Sequence, residues 1–210
     1  MMNIIETEAL TYAGILHYPP LRIMEGAVTF LTGDSGSGKT TLLRLINATL
    51  SPEYGHIFYR GEDTRLSDPL ELRRKVLLTG QSVFLFDTTI RDNFHMYYEY
   101  RDLPTPSDEL IDRYLSLCMA PFALDSSCNT LSGGERQRVY LAIFLSFGAD
   151  TLLLDEPTSA LDRHLSDSVF SNIVSFAKNS GTTLVVVSHD TELVKKHAEF
   201  ELNLTNEVRR

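Results

Sequence analysis

Ala27-Val28-Thr29-Phe30-Leu31-Thr32-Gly33-Asp34-Ser35-Gly36-Ser37-Gly38-Lys39-Thr40 runs an apolar segment into a glycine-rich turn. Ala27 to Thr32 has the short, continuously apolar pattern of a strand covered on both faces. The turn fits the spacing G-x-x-x-x-G-K-[ST], and a helical pattern follows from Lys39 through Leu50. Glycines let the backbone curl so that successive N–H groups converge. The helix behind them presents the positive end of its dipole to the same point. That arrangement suits a triphosphate: Gly33, Asp34, Ser35, Gly36, Ser37 and Gly38 would wrap it, and Lys39 would reach its β- and γ-phosphates. Thr40 would give its hydroxyl to Mg²⁺, with Thr41 next to it as a further nucleotide contact.

Further along, short apolar runs alternate with helical patterns, the mark of an α/β domain with a largely parallel sheet. His56 to Arg60, Val76 to Thr79, Thr151 to Leu154 and Thr183 to Val187 read as strands, and Phe200 to Leu204 as an edge strand. Between two of them, Leu161, Leu165, Val169, Ile173 and Ala177 recur every fourth residue and make one buried helical stripe. From about Ser82 to Gly148 the patterns are helical only, and Pro106-Ser107-Asp108 has the form of a helix start. The expected organisation is one domain, with residues 1–81 and 149–210 as the α/β core and 82–148 as an inserted helical subdomain.

The bulk numbers narrow the function. The chain has 210 residues, 43% hydrophobic and 22% charged, as in one globular domain. A net charge of −9 and a pI near 5.1 speak against sequence-independent nucleic-acid binding, which needs Lys and Arg to neutralise phosphates. Val139 to Phe147 is the longest apolar stretch, well short of the roughly 20 residues a membrane span needs. Met1-Met2-Asn3-Ile4-Ile5-Glu6 lacks a basic region followed by an apolar block, so the chain is expected to stay in the cytosol. Cys118 and Cys128 stand in no metal-ligand pattern and are expected to pack as small hydrophobes or lie at the surface.

Two other motifs share the logic of the turn. Thr151-Leu152-Leu153-Leu154-Asp155-Glu156-Pro157 is an apolar strand that delivers two carboxylates to the carboxyl edge of the sheet, where ligands bind in such folds. Asp155 is placed to hold Mg²⁺ through water, and Glu156 to polarise an attacking water as general base. Leu131-Ser132-Gly133-Gly134-Glu135 opens a helix running to Phe147, so a second helix N-terminus, with a hydroxyl and bare backbone, stands where a phosphate can sit.

With these motifs in this order, the sequence resembles the ATP-binding-cassette ATPases over nearly its whole length. The resemblance implies a P-loop NTPase core of RecA-like type, with a small antiparallel β-subdomain and an inserted helical subdomain. It implies ATP hydrolysis with Mg²⁺. It makes Ser132, Gly133 and Gly134 the signature that closes over the nucleotide of a second chain, hence a homodimer on ATP binding. Gln81 matches the family's Gln loop, touching Mg²⁺ and the water. Ser159-Ala160-Leu161-Asp162 matches the loop that crosses the dimer interface, and His189 the switch histidine near the γ-phosphate. Tyr12 matches the aromatic that stacks on adenine; Tyr18 is its neighbour, and a core role for Tyr12 is the alternative. The resemblance further implies a partner, an integral membrane permease that would hold the chain on the inner face of the membrane. Phe84, Leu85 and Phe86 either line the groove that receives a permease helix or pack the helical region. Small cassettes of iron–sulfur assembly and cell division are the alternative class.

Two features depart from a generic member. The stretch ahead of the glycine-rich turn is compact, so the β-subdomain is expected to be minimal. Asp125-Ser126-Ser127-Cys128-Asn129-Thr130 lacks the glutamate- and glycine-containing segment of large fused exporters.

Overall fold

The computed structural model describes residues 2–204. The first part of the chain forms β1 (Asn3–Thr7), β2 (Leu10–Tyr12), β3 (Leu16–Tyr18), β4 (Arg22–Met24) and β5 (Val28–Thr32), then α1 (Lys39–Ile46). Next come β6 (Ile57–Tyr59), β7 (Glu62–Asp63), α2 (Pro69–Lys75) and β8 (Val76–Thr79). Helices α3 (Ile90–Glu99), α4 (Asp108–Leu117) and α5 (Gly133–Ser146) follow. The chain closes with β9 (Thr151–Asp155), α6 (Arg163–Ser180), β10 (Thr183–Val187), α7 (Thr191–His197) and β11 (Phe200–Asn203). These elements group into two compact units. One comprises Met1–Thr79, Ala149–Glu156 and Phe176–Arg210, and the other Gly80–Gly148 and Pro157–Ser175.

The first unit is built on a five-stranded sheet in the order β11-β5-β10-β9-β8. Its pairings are all parallel. β9 and β10 are buried at every residue, which is why both read as unbroken apolar runs. Their core continues through Leu42, Leu43, Leu45 and Ile46 of α1 and Ile4 and Ile5 of β1. β11 lies at one edge of the sheet.

The antiparallel part is larger than the compact spacing suggests. It has a four-stranded sheet, β4-β1-β6-β7, and a separate β2–β3 hairpin. The extra strand, β7, follows a two-residue turn in which Arg60 (φ 50°) and Gly61 (φ 83°) are both left-handed. This geometry matches the strand twist and lets β6 fold straight back. α1 also stops earlier than its sequence pattern, at Ile46 rather than Leu50. Ala48 turns left-handed (φ 54°) and the Thr49 N–H is captured by the Asn47 side chain.

The second unit is helical. Thr89 and Ser107 cap α3 and α4, each accepting an N–H from the first turn. α6 starts at Arg163, so Leu161 precedes it, while Val169, Phe170 and Ile173 are fully buried. Cys118 and Cys128 are both buried. Asn93 is a polar knot in this core, with no exposed surface. Its Oδ1 accepts from Phe86 N–H (2.8 Å), and its Nδ2 donates to Phe86 O (3.1 Å), Thr89 O (2.9 Å) and Cys128 Sγ (3.3 Å). Asn93→Ala removes the acceptor of the Phe86 N–H, while Phe86 O keeps the Thr88 N–H at 2.8 Å, and should lower unfolding stability by about 2 kcal/mol, read by denaturant titration. A loss below about 1 kcal/mol would show that the knot is replaceable.

Candidate nucleotide-binding site

The carboxyl ends of β5, β9 and β10 lie side by side, because the ladder pairs Val187 with both Leu31 and Asp155. The glycine-rich turn leaves β5 there. Gly33 (φ 135°) approaches the Leu204 carbonyl so closely that a Cβ would sit 2.3 Å from its oxygen. Gly38 (φ 88°) ends the turn as the N-cap of α1, with no side-chain cap and no acid in the first turn. The helix thus keeps its full positive end for an anion. Lys39 is buried, its ammonium donating to the carbonyls of Gly33 and Asp34, both at 2.8 Å. The Ser37 hydroxyl is buried with no partner from the described residues. An orphaned donor inside a turn of inward-facing N–H groups is what a bound phosphate oxygen would satisfy.

β9 ends on Asp155, which is 3% exposed. Burial pushes its carboxyl above the usual carboxylate range, against the pull of the Thr40 hydroxyl and of Arg44, Lys39 and His189. Thr40 lies near enough to Asp155 to draw its carboxyl down, so two hard oxygen donors face one another. No cluster of three or more His, Cys, Asp or Glu suited to a metal occurs among the described residues. Such a sparse oxygen set fits Mg²⁺, which is held by one or two protein oxygens with phosphate and water completing the shell.

Glu156 follows in left-handed backbone (φ 54°), uncommon for a residue with a side chain. Its N–H donates to Val187 O at 3.0 Å, so β10 holds the strained residue in place. Its Oε1 lies 3.1 Å from His189 Nε2. His189 stands just beyond β10, in a turn closed by Asp190 N–H donating to Ser188 Oγ and by the Asp190 cap of α7. Tyr12 sits half-buried on the β2–β3 hairpin, paired with Leu16.

The second unit carries the remaining predicted residues. Ser132 caps α5 in a full capping box with Glu135. A Cβ on Gly134 would lie 2.9 Å from the Ala160 carbonyl oxygen, so α5 and the 157–162 loop touch backbone to side. Asp162 caps α6, accepting from His164 and Leu165 N–H at 3.1 Å each. Gln81 is exposed near the start of this unit. Leu85 is buried, so it packs the helical core and lines no groove; Phe84 (59%) and Tyr100 (72%) are the exposed apolar residues there. Sequence reasoning missed Gln137, a buried amide on α5 that accepts from Ala160 N–H (2.9 Å) and donates to Ser159 Oγ (3.4 Å). Its only sequence signal is a polar residue on the inner face of a helix.

A parallel sheet with a phosphate turn after one strand and carboxylates after another defines a phosphate-loop nucleoside triphosphatase. The family model described as ABC transporter matches residues 16–159. ABC transporter I family member 17 of Arabidopsis thaliana is 38% identical over 89% of this chain and 71% of its own length. STAR1 of Oryza sativa subsp. japonica is 37% identical over 89% of this chain, which spans only 54% of that protein. The dimeric structure of MJ0796, a bacterial ABC transporter cassette, superposes with a TM-score of 0.83 at 26% identity, covering 98% of this chain and 97% of that one. The chain belongs to the ABC transporter family and is its ATP-binding ATPase subunit. No helix among the described residues is long and apolar enough to cross a membrane.

The raised Asp155 carboxyl carries a signed consequence. The folded state binds that proton more tightly than the unfolded chain, so this group stabilises the fold at acid pH and the benefit is lost as pH rises through its folded value. Asp155→Asn, which keeps the shape without the buried charge, should raise the melting temperature at pH 7, with the gain shrinking towards pH 4. Equal or lower stability at pH 7 would contradict the burial argument.

Proposed function

We propose that two copies of this chain close over two ATP molecules and that the motion drives a separate integral membrane permease. The observation that carries the reading is the Glu156–His189 contact at 3.1 Å, next to the buried Asp155 and the glycine turn. Glu156 Oε1 takes a proton from water as the water oxygen attacks the γ-phosphorus. The bond to the bridging oxygen breaks, ADP leaves with its electron pair, and inorganic phosphate forms. His189 orients Glu156 and the water. Lys39 exchanges its loop carbonyls for phosphate oxygens, and Ser37, Gly33, Asp34, Ser35, Gly36 and Thr41 complete the cradle. Thr40 and Asp155 would hold Mg²⁺, which supplies charge neutralisation at the β- and γ-phosphates. Tyr12 stacks on adenine.

Ser132, Gly133 and Gly134 of one chain would face the phosphates held by the other, with Asp162 at the interface. The dimeric cassette on which this chain superposes supports that arrangement. Gln137 and the tight Gly134 contact make the signature and the 157–162 loop one block, so both trans elements arrive together. Phe84, Phe86 and Tyr100 form the docking surface for the permease: Phe86 packs edge-on to Phe84 at 4.9 Å and stacked with Tyr100 at 6.0 Å. Leu85 has no part in it. The chain would thereby sit on the cytoplasmic face of the membrane.

Glu156→Gln should cut hydrolysis at least about 100-fold and yield a dimer with ATP in size-exclusion chromatography with light scattering. Brisk turnover by that variant would remove Glu156 from its role. Lys39→Ala should weaken ATP binding by calorimetry, and unchanged affinity would count against its role. Affinity purification from detergent-solubilised membranes should recover a polytopic protein in stoichiometric amount, and Phe84→Ser/Tyr100→Ser should lose it. Recovery of soluble assembly factors alone would overturn the transport reading and leave the ATPase intact.

A further inference from the structure

The β2–β3 hairpin does more than carry Tyr12. Tyr18, the last residue of β3, is buried, and its hydroxyl donates to Gly38 O at 2.9 Å. The Thr41 side chain lies beside the same hydroxyl. Gly38 O also accepts Leu42 N–H at 2.8 Å, the first bond of α1. A Cβ on Gly38 would stand 2.5 Å from Tyr18 Oη and 3.1 Å from Leu16 Cδ2. Strand β3 therefore lies directly on the residue where the phosphate turn becomes a helix. That N-cap has no side chain of its own to fix it.

We infer that Tyr18 is a positioning residue for the phosphate turn, fixing the Gly38–Lys39 peptide plane through its hydroxyl. The inference rests on the nucleotide site proposed above and adds a residue to it. A trans peptide is planar, so two donors on Gly38 O fix the direction of the Lys39 N–H on the far edge of that plane. This N–H belongs to the first turn of α1, whose donors have no partner within the helix. A hydroxyl donating to Gly38 O polarises the peptide that carries the Lys39 N–H, as linked hydrogen bonds do. The Lys39 N–H becomes a stronger donor for a phosphate. Burial pushes the phenol up to about 12, so the hydroxyl keeps its proton throughout the neutral range. Leu16 and Tyr18 seat the hairpin on the turn, while Tyr12 shares that hairpin. The separation between the base contact and the triphosphate contact is thus set by one short strand.

The test uses Tyr18→Phe in the full chain, which keeps the ring and removes only the hydroxyl. Fluorescent ATP and GTP analogues should both bind about five-fold more weakly, the effect of one lost hydrogen bond. The equal effect on both bases marks a phosphate-side role. In ¹H–¹⁵N spectra without nucleotide, the Lys39 amide proton should move upfield. A loss confined to the adenine analogue, or an unmoved Lys39 amide, would overturn the inference. So would unchanged affinity in Tyr18→Phe when Lys39→Ala binds weakly, and in that case the nucleotide site would stand. Unchanged binding in both variants would overturn the site and the inference together.

Discussion

Three adjacent parallel strands hold the candidate site residues in register. β10 pairs with β5 on one side and β9 on the other, and Val187 meets Leu31 and Asp155 across the two ladders. Because strand spacing in a sheet is about 4.8 Å, residues that leave the three carboxyl ends are delivered to neighbouring places without further adjustment. Gly33 begins the phosphate turn from one strand, Asp155 and Glu156 end the next, and His189 follows the third. The bond from Glu156 N–H to Val187 O extends the ladder past the last regular residue of β9. It holds Glu156 in a backbone conformation its side chain disfavours. A slip in that register would separate every one of these groups.

The same physics separates what the sequence discloses from what it hides. The strand–turn–helix at Val28 to Ile46 is legible because every part is local: apolar residues, glycines at left-handed positions and a lysine at a fixed offset. Asp155 and Glu156 are legible as the end of an apolar run. The Ser132 helix start announces itself by its glutamate three residues on, and the structure completes that capping box. Leu85 was ambiguous because an apolar residue near the surface and one in a core look alike along the chain. Which of Phe84, Leu85 and Phe86 turns inward depends on the Asn93 knot, whose partners span from Phe86 to Cys128. The early end of α1 and the extra strand β7 were hidden for a related reason. Both depend on left-handed turns at Ala48 and Arg60, residues that do not advertise that conformation. Tyr18 and Gln137 act on partners 20 and more than 20 residues away, beyond any local pattern.

The second unit uses polar groups differently from the first. In the sheet unit, buried Ser37, Lys39 and Asp155 gather at the carboxyl ends of the strands. In the helical unit, buried amides brace the chain: Gln137 ties α5 to the 157–162 loop, and Asn93 ties the segment after Gly80 to Cys128. Arg136 adds two more ties, donating to Cys128 O at 2.7 Å and Leu85 O at 3.3 Å. Each tie satisfies backbone groups that irregular segments leave unpaired. The result is loops held by side-chain bonds where regular secondary structure is absent.

Both cysteines lie in this helical unit, and both are closed to solvent. Burial drives their thiols upward, against the weaker pull of Arg138 on Cys118 and Arg136 on Cys128. A thiol that is both inaccessible and protonated is a poor nucleophile. Both thiols should therefore react slowly with thiol reagents in the native protein, and modification would report transient opening around them. A spectroscopic label on an introduced surface cysteine would meet little background from the two that nature placed inside.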